Sequence, residues 1–133
     1  MIKIRDGRCK RNQWSSYEAK GIKRIQIRDG QEWCFYETKN SACFDLRSTK
    51  DYILQPMQRI LVSTGISIDF IDPDLVGHIY LKSGIALKYG VVAFNSPGII
   101  DADYKDEIKI ILMNYSKEDY IIKREMLLLK WDL

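Results

Sequence analysis

The stretch SPGIIDADYKDE, residues 96–107, places a turn, an apolar pair, several acids and an aromatic ring within twelve positions. A Pro-Gly dipeptide is typical of a tight turn. Ile99 and Ile100 can anchor a strand that returns from the turn, and Asp101 then lies at the start of that strand. The pattern predicts a hairpin that carries a carboxylate at its mouth.

Two carboxylates lie close together in this stretch. If the strand continues, Asp103 shares a face with Asp101, and Tyr104 points to the other face. Two acids on one face repel each other, an arrangement found in general bases and in metal sites. The alternative is that both are solvated charges that protect a strand end. Residue types alone favour this second interpretation, and they leave the choice open.

Most of the chain around this stretch has the pattern of strands. The string I-x-I-R-D-G occurs at residues 2–7 and 25–30, each time as a strand followed by a turn dipeptide. Further apolar runs are separated by turn signals, with a break expected at Thr64-Gly65 and a short helix at SGIALKYG, residues 83–90. Recurrent short strands of this kind predict an all-β sandwich or jelly roll.

The bulk composition narrows the class of protein. With 133 residues, one domain over residues 1–133 is expected, and so small a domain gains from assembly into an oligomer. A net charge of +3 is too weak to indicate a nucleic-acid partner. No apolar run approaches the roughly 20 residues that span a bilayer, and no signal-peptide pattern opens the chain. These features predict an intracellular, cytoplasmic protein without a membrane partner.

The cysteines and the single histidine do not form a recognisable site. Cys9, Cys34 and Cys43 are an odd set without CxxC spacing, which argues against a disulfide framework and against a zinc site. His78 lacks the neighbouring pattern of a catalytic pair. We therefore expect this histidine to be structural or exposed.

Two further stretches have the chemistry of a site. In SACFDLRS, residues 41–48, Asp45 points away from its apolar neighbours if the stretch is extended, and a solvated side chain is the ordinary expectation. In LKSGI, Lys82 supplies charge, Ser83 supplies a donor, and Gly84 lets the backbone approach an anion. A plain turn before a helix explains the second stretch equally well.

The order and spacing of these stretches resemble the trimeric dUTPase family. The strings are S-A-x-F-D-L-R-S, T-G-I-S-I, K-S-G-I-A-L-K-Y-G and N-S-P-G-I-I-D-A-D-Y-K, and the resemblance runs from about Tyr36 to Trp131. Its most specific part, from Gly98 to Tyr104, fits G-[IV]-I-D-x-D-Y. The resemblance implies a dUTPase-like jelly-roll (β-clip) subunit and a homotrimer with nucleotide sites at the subunit interfaces. Residues 1–35 are interpreted as an atypical N-terminal extension of strands and loop.

The resemblance also implies an activity and a set of site residues. The activity is hydrolysis of dUTP to dUMP and pyrophosphate, with Mg²⁺ as the cofactor. Asp101 would activate the attacking water, and Asp45 would assist the metal through a water molecule. The other implied roles are a uracil slot at Asn95, Gly98 and Ile100, a deoxyribose platform at Tyr104, and phosphate contacts at Lys82, Ser83 and Gly84.

The chain departs from the family pattern mainly on the phosphate side. Lys82 replaces the arginine that precedes Ser-Gly, and Asp106 replaces a glycine. Met126 and Leu129 replace the arginine and the phosphate-facing glutamine of the final strand. No glycine-rich arm follows Trp131 in the sequence. A weakened phosphate side is therefore expected.

Three functions are compatible with these features. An active dUTP diphosphatase is favoured by the intact motif around Asp101. The altered phosphate side instead favours a hydrolysis-deficient protein of the same fold. Such a protein would sequester or sense a nucleotide or cyclic-nucleotide signal, as a phage- or virus-encoded sponge or regulator would. A relative of dCTP deaminases has the least support, because K-S-G and I-D-A-D-Y resemble the dUTPase branch better.

Overall fold

The computed structural model describes residues 22–27, 43–70 and 73–132, which form ten strands and one helix. The elements are β1 (Ile22–Ile27), β2 (Phe44–Arg47), β3 (Tyr52–Leu54), β4 (Arg59–Phe70), β5 (Val76–Leu81), α1 (Ser83–Tyr89), β6 (Val91–Ala93), β7 (Gly98–Asp101), β8 (Ile108–Asn114), β9 (Tyr120–Ile122) and β10 (Leu127–Asp132). The second I-x-I-R-D-G string begins within β1, as expected. The first string, Cys9 and Cys34 lie outside the described residues.

The strands form two four-stranded sheets and one two-stranded sheet, and every pairing is antiparallel. The first sheet has the order β1-β4-β8-β6, the second has the order β2-β10-β5-β7, and β3 pairs with β9. Val62 and Leu112 of the first sheet and Leu46 and Leu129 of the second belong to one hydrophobic cluster. In β4 and β8 alternate residues supply this core because side chains alternate across a sheet, whereas the consecutive Leu128 and Leu129 of β10 are both buried in it. The expectation of an all-β, jelly-roll type of fold is confirmed.

The strands on either side of the Pro-Gly turn belong to different sheets. β6 pairs with β8, whereas β7 pairs with β5, with Gly98 opposite Ile79 and Asp101 opposite Val76. The expected hairpin is therefore wrong, because the turn carries the chain from one sheet to the other. Asp101 is the last residue of the returning strand and not the first. Glycine at position 98 permits this pairing, since a Cβ there would lie 3.3 Å from the Cβ of Ile79.

β4 continues through the position where a break was expected. The register of β4 against β8 shifts between Ser63 and Ile66. Gly65 has a φ of 68°, a left-handed conformation that glycine adopts without strain. β4 is therefore bulged at Thr64-Gly65, and its pairing resumes beyond the bulge.

The short helix expected from the sequence is confirmed. α1 follows Lys82 and ends at Gly90, whose φ is 64° and whose N–H donates a hydrogen bond of 3.1 Å to the Ala86 carbonyl. Ile85 is the buried residue that joins α1 to the core. Among the described residues, no helix combines the length and apolarity needed to cross a bilayer.

Candidate active site

The connection from β6 to β7 forms one wall of a small cavity. The cavity has a volume of about 40 Å³. Its lining comprises Ile79, Ala93, Asn95, Gly98, Ile99, Ile100, Lys109 and Ile110. Asn95 is exposed to solvent, whereas Ile100 packs against the hydrophobic core. The structure thus brings together the three residues that were predicted to line a base slot.

Asp101 lies at the end of β7, beside a wider depression of about 720 Å³. Asp103 lines the same depression, as do Asp74 and Lys105, two charged residues that the sequence did not single out. The Asp101 side chain is exposed, so a water molecule can reach its carboxylate. Asp103 belongs to a turn after β7, so the argument from strand alternation was wrong for it. The two acids nevertheless line one surface.

Tyr104 is held close to Asp101 by the turn that ends β7. Its backbone N–H donates to the Asp101 carbonyl at 3.0 Å, and its hydroxyl donates to the Glu107 carbonyl at 2.8 Å. The ring remains 39% exposed. The expected position on the opposite face of a strand is wrong, because the chain turns at Ala102 and Asp103. Both polar ends of Tyr104 are therefore fixed while part of its ring is open to a ligand.

Glu107 was not indicated by any sequence pattern, yet its carboxylate supports the bulge of β4. Its Oε1 atom accepts hydrogen bonds from the Gly65 N–H at 2.8 Å and from the Ser63 hydroxyl. A bulge leaves backbone groups without partners in the ladder, and this carboxylate supplies one. A glycine inside a strand is the only sequence signal of the bulge. That Glu107 is the partner of this bulge follows only from the register in which β4 pairs with β8.

Lys82, Ser83 and Gly84 lie where β5 passes into α1. The backbone N–H of Lys82 donates to the Leu128 carbonyl at 3.1 Å, which joins this corner to β10. Ser83 and Gly84 are exposed. A Cβ at Gly84 would meet no atom within 4 Å, so packing within the chain does not require glycine there.

The predicted phosphate contacts lie far from Asp101 within one chain. Asp101 pairs with Val76 at the first residue of β5, whereas Lys82 follows Leu81 at the last. At a rise of about 3.3 Å per residue, Val76 and Leu81 are roughly 17 Å apart. A single chain therefore does not bring Asp101 and the Lys-Ser-Gly corner to one phosphate group.

Asp45 is buried, with 3% of its surface exposed, so the expectation of a solvated side chain is wrong. Asp45 and Leu46 point to opposite faces of β2 and both are buried, which means that both faces of this strand are covered. Through Lys130 of β10, Asp45 is in register with Tyr80 of β5. Three strand-to-strand spacings across the sheet and four residues along β5 then separate it from Asp101. Spacings of about 4.8 Å per strand and 3.3 Å per residue give roughly 20 Å.

The described residues offer a magnesium ion few ligands within one chain. In residues 22–27, 43–70 and 73–132, no group of three acidic, histidine or cysteine side chains could hold a metal ion. Mg²⁺ commonly uses one or two carboxylates and completes its shell with phosphate and water. The exposed carboxylates of Asp101 and Asp103 have this chemistry.

His78 is half-buried, and the centroid of its ring lies 6.3 Å from that of the Tyr80 ring.

Of the two substituted positions, Leu129 lies in β10 and Met126 directly precedes this strand, and both side chains face the core. Leu129 is fully buried, and Met126 is partly buried against the same cluster. Both therefore contribute apolar contacts, and neither offers a polar group to a ligand.

The fold and the ordered set of Asn95, Gly98, Asp101 and Tyr104 define an all-β domain of the dUTPase class. The model of the dUTPase family matches residues 30–126 of the chain. The chain therefore belongs to the dUTPase family.

Several known proteins are similar to this chain. A deoxyuridine 5'-triphosphate nucleotidohydrolase of Nautilia profundicola is 43% identical over 90 residues, which cover 68% of this chain and 63% of the relative. The enzyme of that name from Bartonella henselae is 41% identical over 109 residues, which cover 79% of this chain and 59% of the relative. This chain thus spans about three fifths of the length of the curated relatives it matches.

The solved structures agree on the fold. A variant dUTPase from phage phi11 of S. aureus, described with a coordinated structural Mg(II) ion, superposes with a TM-score of 0.74. The identity is 18%, and the match covers 82% of this chain and 87% of the phage protein. At this identity the likeness supports the architecture and not the activity.

Proposed function

We propose that the protein is a dUTP diphosphatase that hydrolyses dUTP to dUMP and pyrophosphate. One observation carries the proposal: the exposed Asp101 carboxylate ends β7, the strand that starts at the cavity of Gly98 and is followed by the half-open ring of Tyr104. One strand and the turn after it thus carry the groups assigned to the base, to the attacking water and to the deoxyribose. The names of the curated relatives support this substrate.

Asp101 acts on the attacking water in this proposal. Its carboxylate accepts a proton while the water oxygen bonds to the phosphorus that carries the deoxyribose. The bond from this phosphorus to the bridging oxygen breaks, and its electron pair leaves with pyrophosphate. Such a reaction needs little covalent work from the protein and depends on alignment and charge neutralisation. An exposed carboxylate at a fixed strand end meets the first of these needs.

The cavity at Gly98 receives the edge of the uracil ring. At about 40 Å³ it has room for the edge of a flat ring, and a 5-methyl group would crowd its apolar lining. Asn95 and the backbone of the connection supply hydrogen-bonding groups to the base. The exposed part of the Tyr104 ring packs under the deoxyribose and disfavours a 2′-hydroxyl.

Magnesium is the cofactor we propose. When bound, it would neutralise part of the phosphate charge and make pyrophosphate a better leaving group. Asp103, beside Asp101 in the same depression, is an exposed oxygen ligand of the kind it uses, and the structural ion described for the phage phi11 protein supports a place for Mg²⁺ in this fold. The contact of Asp45 with the ion through water stays a prediction.

A homotrimer with shared sites is the assembly we propose. Lys82, Ser83 and Gly84 contact the phosphates, yet in one chain they lie roughly 17 Å along β5 from the position of Asp101. Two chains remove this conflict if one supplies Asp101 and its neighbour supplies the Lys-Ser-Gly corner. The 87% exposure of Leu87, on the helix that begins at this corner, supports a partner there.

The alternative of a nucleotide container without hydrolysis is not favoured by the relatives, which carry the name of a hydrolase. The direct test is incubation of the protein with Mg²⁺ and each of dUTP, dTTP, dCTP and UTP, followed by chromatography of the products. We expect dUTP alone to give dUMP and pyrophosphate. Release of an intact nucleotide on denaturation, without turnover, would reverse the conclusion.

The assembly has its own test in sedimentation equilibrium. We expect a mass of three chains of 15.6 kDa each at micromolar concentration. A clean monomer under the conditions of full activity would contradict the shared site.

A further inference from the structure

We propose that Glu107 is the positioning residue that fixes the sugar-recognition segment, residues 101–107, against β4 and so sets the preference for deoxyribose over ribose. The inference rests on the proposed function, because it assigns a role toward the same nucleotide. It extends that function to a residue that touches neither cavity described above.

The first step is the contact between Glu107 and the bulge. Oε1 accepts the Gly65 N–H at 2.8 Å and the Ser63 hydroxyl, across more than 40 positions of sequence. A carboxylate that accepts two such bonds is held more firmly than one bonded to solvent. Ile108, which follows Glu107, is also bonded to the bulge, since its carbonyl accepts a hydrogen bond of 2.5 Å from the Thr64 hydroxyl.

The second step leads from Glu107 to the ligand side. The Glu107 carbonyl accepts the Tyr104 hydroxyl at 2.8 Å, and the Tyr104 N–H donates to the Asp101 carbonyl at 3.0 Å. The segment from Asp101 to Glu107 is therefore closed at both ends by its own hydrogen bonds. The Glu107 side chain connects this closed segment to β4 through the Gly65 N–H and the Ser63 hydroxyl.

The third step is the consequence for substrate choice. Tyr104 is 39% exposed, so packing alone leaves its ring free to shift by the small distance that separates a hydrogen from a hydroxyl at C2′. A shift of about 1 Å in a positioning group is enough to change a rate by two orders of magnitude. Glu107 restrains the ring by holding the carbonyl to which its hydroxyl is bonded.

The test compares Glu107→Ala and Glu107→Gln with a matched control, Asn114→Ala. Glutamine keeps an oxygen acceptor at the position of Oε1, whereas alanine removes it. Asn114 is buried at the other end of β8, about 20 Å away, and its side-chain amide donates to the carbonyls of Leu54 and Glu118. Its loss should lower stability without touching the segment of Tyr104.

The decisive readout is the ratio of kcat/KM for dUTP to kcat/KM for UTP. We expect Glu107→Ala to lower this ratio by about tenfold, Glu107→Gln to stay within about threefold of the unmodified protein, and Asn114→Ala to leave the ratio unchanged. An equal change in Glu107→Ala and Asn114→Ala, or no rescue by glutamine, would overturn the proposal. If Glu107→Ala does not fold, Ser63→Ala removes one donor of the same contact and should lower the ratio in the same direction.

Amide hydrogen exchange separates this inference from the proposed function. Exchange in residues 63–66 and 104–107 should be about tenfold faster in Glu107→Ala and unchanged in Asn114→Ala. If the unmodified protein hydrolyses no dUTP, the proposed function fails, and the exchange data still decide whether Glu107 holds Tyr104. Unchanged exchange in both segments would overturn the positioning role whatever the activity.

Discussion

The segment from Asn95 to Tyr104 and the corner from Lys82 to Gly84 carry different parts of the same proposed chemistry. In the first segment, a cavity, a carboxylate and an aromatic ring follow one another along a single strand and its turn. The second is a corner at the far end of β5, where a Cβ added at Gly84 would meet no atom within 4 Å. The groups of the first region thus lie together within one chain, whereas those of the second lie apart from them at the other end of β5.

Local structure can therefore assemble only part of a nucleotide site. Residues a few positions apart on a strand are brought together by backbone geometry alone. Groups at the two ends of β5 are kept apart by the same geometry, so only a second chain or a ligand can join them.

Asp101→Asn should cause the largest loss. We expect turnover of dUTP to fall by about 10³-fold, since a general base contributes 10²–10⁴ to the rate, while dUTP binding measured by calorimetry changes little. Asp106→Asn is the control, because this exposed acid lines neither cavity. Turnover of the Asp101 variant within tenfold of the unmodified protein would show that the strand end is not the reacting centre.

Gly98→Ala should act on the fold of the first segment. Its Cβ would lie 3.3 Å from the Cβ of Ile79, so β7 must move away from β5 or strain the contact. We expect the free energy of unfolding to fall by about 1–2 kcal/mol in urea titrations. Gly98→Ser should lower the free energy of unfolding by at least as much. An unchanged midpoint in both variants would mean that β7 does not pack as closely as described.

Gly84→Ala should act on function and not on the fold. Its Cβ has open space within the chain, and alanine favours a helix by about 0.5–1 kcal/mol, so the melting temperature should be unchanged or higher. We expect kcat/KM for dUTP to fall by about tenfold, because phosphates or a neighbouring chain occupy that space. Lys88→Ala, on the last turn of the same helix, is the control. Full activity of the Gly84 variant would argue against a partner at this corner.

Glu125→Gly should stabilise the protein slightly without changing its activity. Glu125 has a φ of 66°, a left-handed conformation that is unfavourable for residues with a Cβ. Its N–H donates to the Ser48 carbonyl at 2.7 Å, a bond that glycine keeps. We expect a gain of about 0.5–1 kcal/mol in the free energy of unfolding. Glu125→Ala retains the strain and should show no gain; an equal gain in both variants would exclude backbone strain as the cause.

Tyr120→Phe should change the free energy of unfolding only slightly at neutral pH and measurably at alkaline pH. Burial, together with Tyr89, raises the pKa of Tyr120 from 10.0 to about 12. Above pH 10 the unfolded chain loses this proton before the folded chain does, so the protein loses stability as the pH rises from 10 to 12. The variant should lose less stability over that window in denaturant titrations.

At neutral pH the same variant should be more stable by at most about 1 kcal/mol, because the buried Tyr120 hydroxyl has no hydrogen-bond partner among the described residues. Tyr115→Phe is the control, since Tyr115 is exposed. Identical pH profiles for the Tyr120 variant and the unmodified protein would contradict the role of burial.

Much of the fold could be predicted from the sequence because short-range patterns specify it. The I-x-I-R string predicted β1, an apolar run predicted β8, and the turn signal at Gly90 marked the end of α1. The partner of each strand could not be predicted in this way. The turn at Pro97-Gly98 was interpreted as a hairpin, although β6 and β7 pair with strands of different sheets. A turn dipeptide determines a change of direction but not the strand that receives the chain.

The features of the candidate site also fall into two groups, those that could be predicted from the sequence and those that could not. The sequence by itself determined the all-β class, the dUTPase family pattern and the contiguous residues from Asn95 to Tyr104, because each depends on spacing along the chain. Only the tertiary structure decided that Asp45 is buried, that Asp101 and the Lys-Ser-Gly corner are separated, and that Glu107 supports Tyr104 through β4. These facts depend on strand register, which joins residues 25 or more positions apart and leaves no periodic signal in the sequence.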